Sequence, residues 1–277
     1  MNNTFHVPGK TFLITLITLL IVLPLFSKGY EIELQIKGVA DTNVILAHYF
    51  NKSIYPDDTV HFDSKGRGAF TGKEELPQGI YIIYLPSGNY FEIVIGNDQE
   101  FSLTTDTENF VKNAIVKGSE DNALFFEFQN YMLSRRSELN ALQEILRNAD
   151  DPDEKTGARA KMQAISEARI EKIKKIITQH PDLFVSTFLK ATLDIEVPQP
   201  PVAGNGSIDS SWQYRYYKKH YFDNFDPHDG RLLRTPLYED KVMNYLERVV
   251  VQIPDTLIGE VDYLLSGARG DSVLFRY

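Results

Sequence analysis

Five side chains in one short stretch have the types that bind cations or move protons. His220, Asp223, Asp226, His228 and Asp229 all lie within HYFDNFDPHD, which begins at His220. Carboxylate oxygens suit hard cations, and histidine combined with carboxylate suits zinc. The order H-x-x-D-x-x-D-x-H-D is not the H-E-x-x-H of zinc hydrolases. Nor is it a calcium loop of the D-x-[DN]-x-[DN]-G kind with its closing glutamate. A metal-binding protein or metal-dependent hydrolase built on these five residues is therefore one expectation.

The second expectation for the same stretch is structural. Helical text ends near His220 and resumes at Pro236. Aspartate and asparagine are favoured in such joints because their side chains accept from free backbone N–H groups. On this reading Asp223, Asp226 and Asp229 pair with Arg231 or Arg234. Asp226, Asp229, Arg231, Arg234, Thr235 and Pro236 then fix the joint, and the histidines are incidental. The mismatch with any known ligand spacing favours this second expectation.

Other chemistry has less support. The chain has no cysteine, which removes disulfides, thiol nucleophiles, cysteine-held zinc and dithiol redox chemistry from its own residues. No G-x-S-x-G elbow occurs. His48 and His61 fall in strand text, where a sheet histidine with a satisfied ring is the expectation rather than a base. No catalytic residue is assigned and no cofactor is implied. Trp212, Tyr214, Tyr216, Tyr217 and Tyr221 could form a glycan- or peptide-binding face, as in a ligand-binding envelope protein. At helical spacing a packing stripe explains them equally. Arg269-Gly270-Asp271 spells an adhesion tripeptide, but a helix N-cap at Asp271 accounts for it.

The surrounding elements read as two blocks. In YEIELQIK, Ile32, Leu34 and Ile36 alternate with polar residues, which predicts a strand with one wet face. Strands are also predicted over 43–50, 59–62, 68–70, 79–85, 90–95 and 101–104. Hairpin turns are expected at SKGRG and PSGN. Short strands at this spacing predict an antiparallel β-sandwich or open barrel. After Gly118 the period changes. Leu124, Phe125, Phe128, Tyr131, Met132, Leu139, Leu142 and Ile145 mark one long helix, and Met162, Ile165, Ile173, Ile176 and Ile177 mark a second. The polar break NADDPDEKTG between them predicts a helical hairpin. A third helix is expected to open at Pro181. Further helices are expected over 211–220, 236–251 and 255–265, with Thr235-Pro236 as an N-cap and first turn. The fold class is α+β: a β domain over 30–118, then a helical domain over 119–277.

The N-terminus has its own signature. Lys10 precedes an almost wholly apolar run, Thr11 to Phe26, and the small residues Ser27 and Gly29 stand third-last and last before a cut after Gly29. This predicts a secretory signal peptide over 1–29. The run is short for a membrane span, so an uncleaved anchor is the lesser alternative and the only membrane attachment in view. Net charge is −9, with no basic stripe, so nucleic acid is not an expected partner.

Two segments carry a resemblance. YEIELQIKGVADTNVILAHYF and the run from Asn224 to Pro236, NFDPHDGRLLRTP, with the Leu237–Leu246 helix text after it, resemble the N-terminal regions of exported bacterial thioredoxin-like proteins of the TlpA and AhpC/TSA type. That resemblance implies an uncharacterised β domain and helical domain ahead of a thioredoxin fold. It implies the periplasm or cell envelope of a Gram-negative bacterium. The redox chemistry of such proteins sits in a C-x-x-C motif, and this chain has no cysteine. The expectation is then a non-catalytic recognition or docking module of a thiol–disulfide system, truncated at its C-terminus. Its partner would be another protein, its own missing thioredoxin domain, or a second copy of itself.

Overall fold

The computed structural model describes residues 29–202 and 209–276. The signal-peptide segment expected over 1–29 lies outside them, apart from Gly29. Two four-stranded sheets come first. Strands β1 (Tyr30–Lys37), β4 (Arg67–Gly72), β7 (Glu100–Asp106) and β8 (Ile115–Lys117) form one sheet, in the order β4-β1-β7-β8. Strands β2 (Thr42–Phe50), β3 (Ser53–Phe62), β5 (Gly79–Tyr84) and β6 (Tyr90–Ile95) form the other, in the order β3-β2-β5-β6. The alternation in β1 does what its pattern predicts: Ile32, Leu34 and Ile36 are buried while their neighbours are exposed. They meet Val44, Leu46, Phe62, Phe70, Tyr81, Ile83 and Ile93 in the core between the sheets.

Two connections differ from expectation. The turn at SKGRG is not a hairpin, because β3 and β4 belong to different sheets. It is the corner between them. Asp63 holds it, accepting from the N–H groups of Lys65 at 2.8 Å and Arg67 at 2.9 Å. Gly66 takes φ +71° there, and a Cβ on it would fall 2.2 Å from the Ile36 carbonyl oxygen. The second difference is direction. β7 runs parallel to β1, with Ile32 opposite Phe101 and Leu34 opposite Leu103. A parallel neighbour needs a crossover connection, and here five strands intervene between the pair. Period-two patterning is the same in either direction, so the sequence does not encode this. The strand at Ser53–Phe62 also starts earlier than its pattern suggests. It tolerates Pro56 because β3 is a sheet edge and Asp57 sits as an unpaired extra residue between Asp58 and Pro56.

Helices α1 (Glu120–Asn148) and α2 (Pro152–Gln179) form the expected hairpin, tied across by Lys172 and Glu127 at 2.7 Å. Ser119 caps α1, accepting from Asn122 N–H at 3.2 Å. Asp151 caps α2 with Pro152 in its first turn. Then come α3 (Phe184–Ala191), α4 (Trp212–His220), a tight 3-10 turn (Gly230–Arg234) and α5 (Tyr238–Asn244). A π-helical segment (Tyr245–Val249), α6 (Pro254–Ala268) and α7 (Ser272–Arg276) complete the order. Among the described residues no helix is long and apolar enough to cross a membrane.

The helices form a third layer over the second sheet. Ile80 and Val94 on its outer face pack with Phe125, Ile173, Phe184, Leu232 and Leu233. β5 is therefore buried on both sides, Tyr81 and Ile83 facing one core and Ile80 the other. Every residue of its run Gly79–Ile83 is buried.

Candidate functional site

The stretch from His220 to Pro236 is where the helical layer meets the second sheet. Leu232 and Leu233 are fully buried, and Leu233 accepts a bond from Asn51 N–H, at the end of β2, at 3.1 Å. Asp229 caps the tight turn through Arg231 N–H at 3.1 Å and also takes the Arg231 guanidinium, with Nη2 to Oδ2 at 2.6 Å. The same guanidinium donates to Gln78 beside β5 at 3.1 Å and to Thr187 of α3 at 3.5 Å, and lies over the Phe184 ring. Asp229, chiefly, holds the Arg231 pKa above its ordinary value. One side chain thus joins a strand end, a helix and the joint. Arg234 packs against Gly79, where a Cβ would lie 2.4 Å from its own Cβ.

The five candidate ligands split into separate pairs. His220 Nδ1 bonds Asp223 at 2.7 Å. Asp226 accepts from His228 N–H at 2.9 Å, and Asp229 is engaged by Arg231. The His228 ring lies against Gly267 and edge-on to Tyr263, and its buried Nε2 has no hydrogen-bond partner among the described residues. Among the described residues no three His, Asp or Glu side chains stand together as a metal ion would require.

Thr235 is fully buried and acts one step earlier than expected. Its hydroxyl donates to Leu232 C=O at 2.6 Å and accepts from Leu237 N–H at 3.3 Å. It closes the tight turn, and α5 begins only at Tyr238. The helix expected over 236–251 changes to π-helical winding at Tyr245, a deformation often found at functional sites. The third helix also starts later than Pro181, at Phe184. Asp271 of the tripeptide caps α7, accepting from Val273 and Leu274 N–H groups at 2.9 and 3.0 Å.

Two polar residues that the helical pattern passes over hold the same interface. Asn122 and Asp121 occupy the first turn of α1 and are fully buried. Asn122 binds both backbone groups of Val94. Asp121 accepts from Val185 N–H at 2.7 Å, at the start of α3. Burial pushes its carboxyl above the usual range, with that N–H pulling the other way. Helical spacing offered a signal: both residues share the face of Phe125 and Phe126 rather than the wet one.

Leading into the His220–Pro236 stretch is α4, whose nine residues WQYRYYKKH include no buried one. Trp212, Tyr216 and His220 stack in line, with ring centroids 5.1 and 4.2 Å apart. Tyr217 turns to the other side, edge-on to Tyr221 at 5.6 Å. Three open grooves meet at this helix. One of about 290 Å³ is lined by Tyr216, His220, Arg169 and Lys174. Another of about 490 Å³ is lined by Tyr217, Tyr221, Lys52 and Arg248. The third, about 680 Å³, is lined by Tyr214, Lys219, Tyr245 and Tyr263.

Comparison with known families matches two segments of the chain, separated within the α1–α2 hairpin. Residues 30–125 match a domain of unknown function, DUF4369. Residues 161–277 match a second, DUF5106. No curated protein matches the chain, and no solved structure does. The DUF4369 match covers all eight strands and the first turn of α1, so it includes Asn122. The DUF5106 match covers α3 to α7, the joint and the α4 ridge. The bonds donated by Arg231 to Gln78, by Asn51 N–H to Leu233 and by Val185 N–H to Asp121 each run between the two matched segments.

Proposed function

We propose that the chain is a non-catalytic recognition and docking module whose contact surface is the α4 ridge. The observation that carries this is the aromatic surface of α4: Tyr214 is exposed, Trp212, Tyr216 and Tyr217 are half-buried, and the helix borders three grooves. Tryptophan, tyrosine and arginine are the residues that dominate protein-recognition hot spots. The helical layer that carries the ridge is tied to the β block by Arg231 and Asn122 and braced within itself by the Asp121–Val185 bond, and a rigid platform loses little entropy when it binds.

The partner system rests on the resemblance of Asn224–Pro236 to exported thioredoxin-like proteins, since neither matched domain has an assigned chemistry. We propose an envelope thiol–disulfide system, with a thioredoxin-fold protein as the docked partner. The apolar run Thr11–Phe26 supports export. Photo-crosslinking in cells tests both parts. Benzoylphenylalanine placed at Tyr216 or Tyr217 is expected to capture a partner carrying a C-x-x-C motif, identified by mass spectrometry. The same probe at Glu33 or Thr104, on the outer face of the first sheet, is the control. Equal capture from the sheet face would sink the docking surface. Capture from α4 of a partner lacking that motif would sink the oxidoreductase association alone.

A further inference from the structure

We propose that the groove between α4 and α6 takes a peptide segment bearing a carboxylate beside apolar side chains, an inference that rests on the docking reading. Its walls are aromatic: Tyr214, Phe222, Tyr245 and Tyr263. Two of those hydroxyls are bonded inward, Tyr214 to the Val249 carbonyl at 2.9 Å and Tyr245 to Glu260 at 2.7 Å. Tyr245 is buried beneath the groove, so the contact surface for apolar groups is the exposed rings of Tyr214 and Tyr263 with half-buried Phe222 between the helices. The volume, about 680 Å³, lies within the range of ligand-holding clefts.

The charges decide the rest. Both acids of the lining are already engaged. Glu260 takes Lys218 at 2.8 Å as well as Tyr245, and Asp223 takes His220 at 2.7 Å. Lys219 is exposed and has no ion pair among the described residues. Arg215 is held by Asp209 and Ser211 on the exposed side of the helix, where an ion pair contributes little to stability. The groove lining therefore sets three cations, Arg215, Lys218 and Lys219, against two carboxylates, Asp223 and Glu260, and offers Lys219 along its α4 rim. With a chain charge of −9, a polyanion such as nucleic acid or a sulfated glycan is repelled as a whole. A segment with one or two carboxylates satisfies the rim without that penalty.

The test uses the full chain and fluorescein-labelled Gly-Leu-Phe-Glu-Phe-Leu-Gly, with versions carrying glutamine or lysine at the centre, read by fluorescence anisotropy. The glutamate peptide is expected to bind about tenfold tighter than the lysine peptide, and to weaken as salt rises. Lys219→Glu is expected to abolish that preference while leaving the melting temperature unchanged, because Lys219 is exposed. Tyr263→Ala is expected to weaken all three peptides. Lys174→Glu, in the neighbouring groove, is expected to change nothing. Equal binding of the lysine peptide would overturn the inference. So would a preference that survives Lys219→Glu, no binding at millimolar peptide, or better competition by dextran sulfate than by the glutamate peptide. Crosslinks at Tyr216 or Tyr217 alongside such a failure would leave the docking surface standing and remove only this groove's assignment.

Discussion

The side chain of Asn122 pairs with the backbone of Val94 as a neighbouring strand would. Its Oδ1 accepts from Val94 N–H at 2.8 Å and its Nδ2 donates to Val94 C=O at 2.7 Å. Val94 lies on β6, an edge of its sheet. An open edge with buried backbone groups must find partners. Here the first turn of a helix supplies them, which fixes how α1 sits on the sheet.

Asn122→Ala removes that pairing and leaves two buried backbone groups without partners. Chemical denaturation is expected to show a loss of about 2–5 kcal/mol. Asn122→Asp should also be costly, because a carboxylate cannot donate to the Val94 carbonyl. A variant as stable as the parent would mean that water or another group satisfies Val94.

Glu92 sets a pH dependence. Burial, chiefly, raises its carboxyl pKa above the ordinary 4.5, against the bond from the Tyr49 hydroxyl at 2.7 Å. A raised acid favours the protonated folded state. Its contribution to stability is complete below pH 4.5 and is lost as pH rises through the folded-state value. Glu92→Gln keeps an acceptor for Tyr49 without a charge. It should therefore melt higher than the parent at pH 7 and converge with it below pH 4.5. Parallel melting curves across that window would exclude this role.

Arg231 joins Asp229, Gln78, Thr187 and the Phe184 ring. Arg231→Ala is expected to cost about 1–3 kcal/mol, since the pair is partly open to solvent and half-buried Asp229 is left without its cation. Arg231→Lys should recover little, because an ammonium cannot make the forked contact. Differential scanning calorimetry of both variants checks this.

The metal reading of the joint has a direct measurement. Zinc or calcium added at 100-fold over a site's dissociation constant would stabilise a folded site by about 2.7 kcal/mol. With His220, Asp223, Asp226, His228 and Asp229 engaged in separate contacts, titration with either ion is expected to leave the melting temperature unchanged. A rise that disappears in His228→Ala with Asp229→Ala would restore the metal site.

The sequence by itself determined the local elements, because those depend on short-range periodicity. Ile32, Leu34 and Ile36 had to face one way, and the change of period after Gly118 had to begin helices. The α+β class followed from that order. Only the tertiary structure decided which strands share a sheet and in which direction, since Phe101 opposite Ile32 is a contact between residues far apart in sequence. It also decided what the polar residues do. Asp229, Arg231 and Asn122 carry the same side chains in any arrangement. Their partners Gln78, Thr187 and Val94 are brought to them by packing. HYFDNFDPHD thus looked like a ligand list in one dimension. In three it is the seam that ties the helices to the sheet, because the buried Leu232 and Leu233 beyond it place its charges against fixed partners.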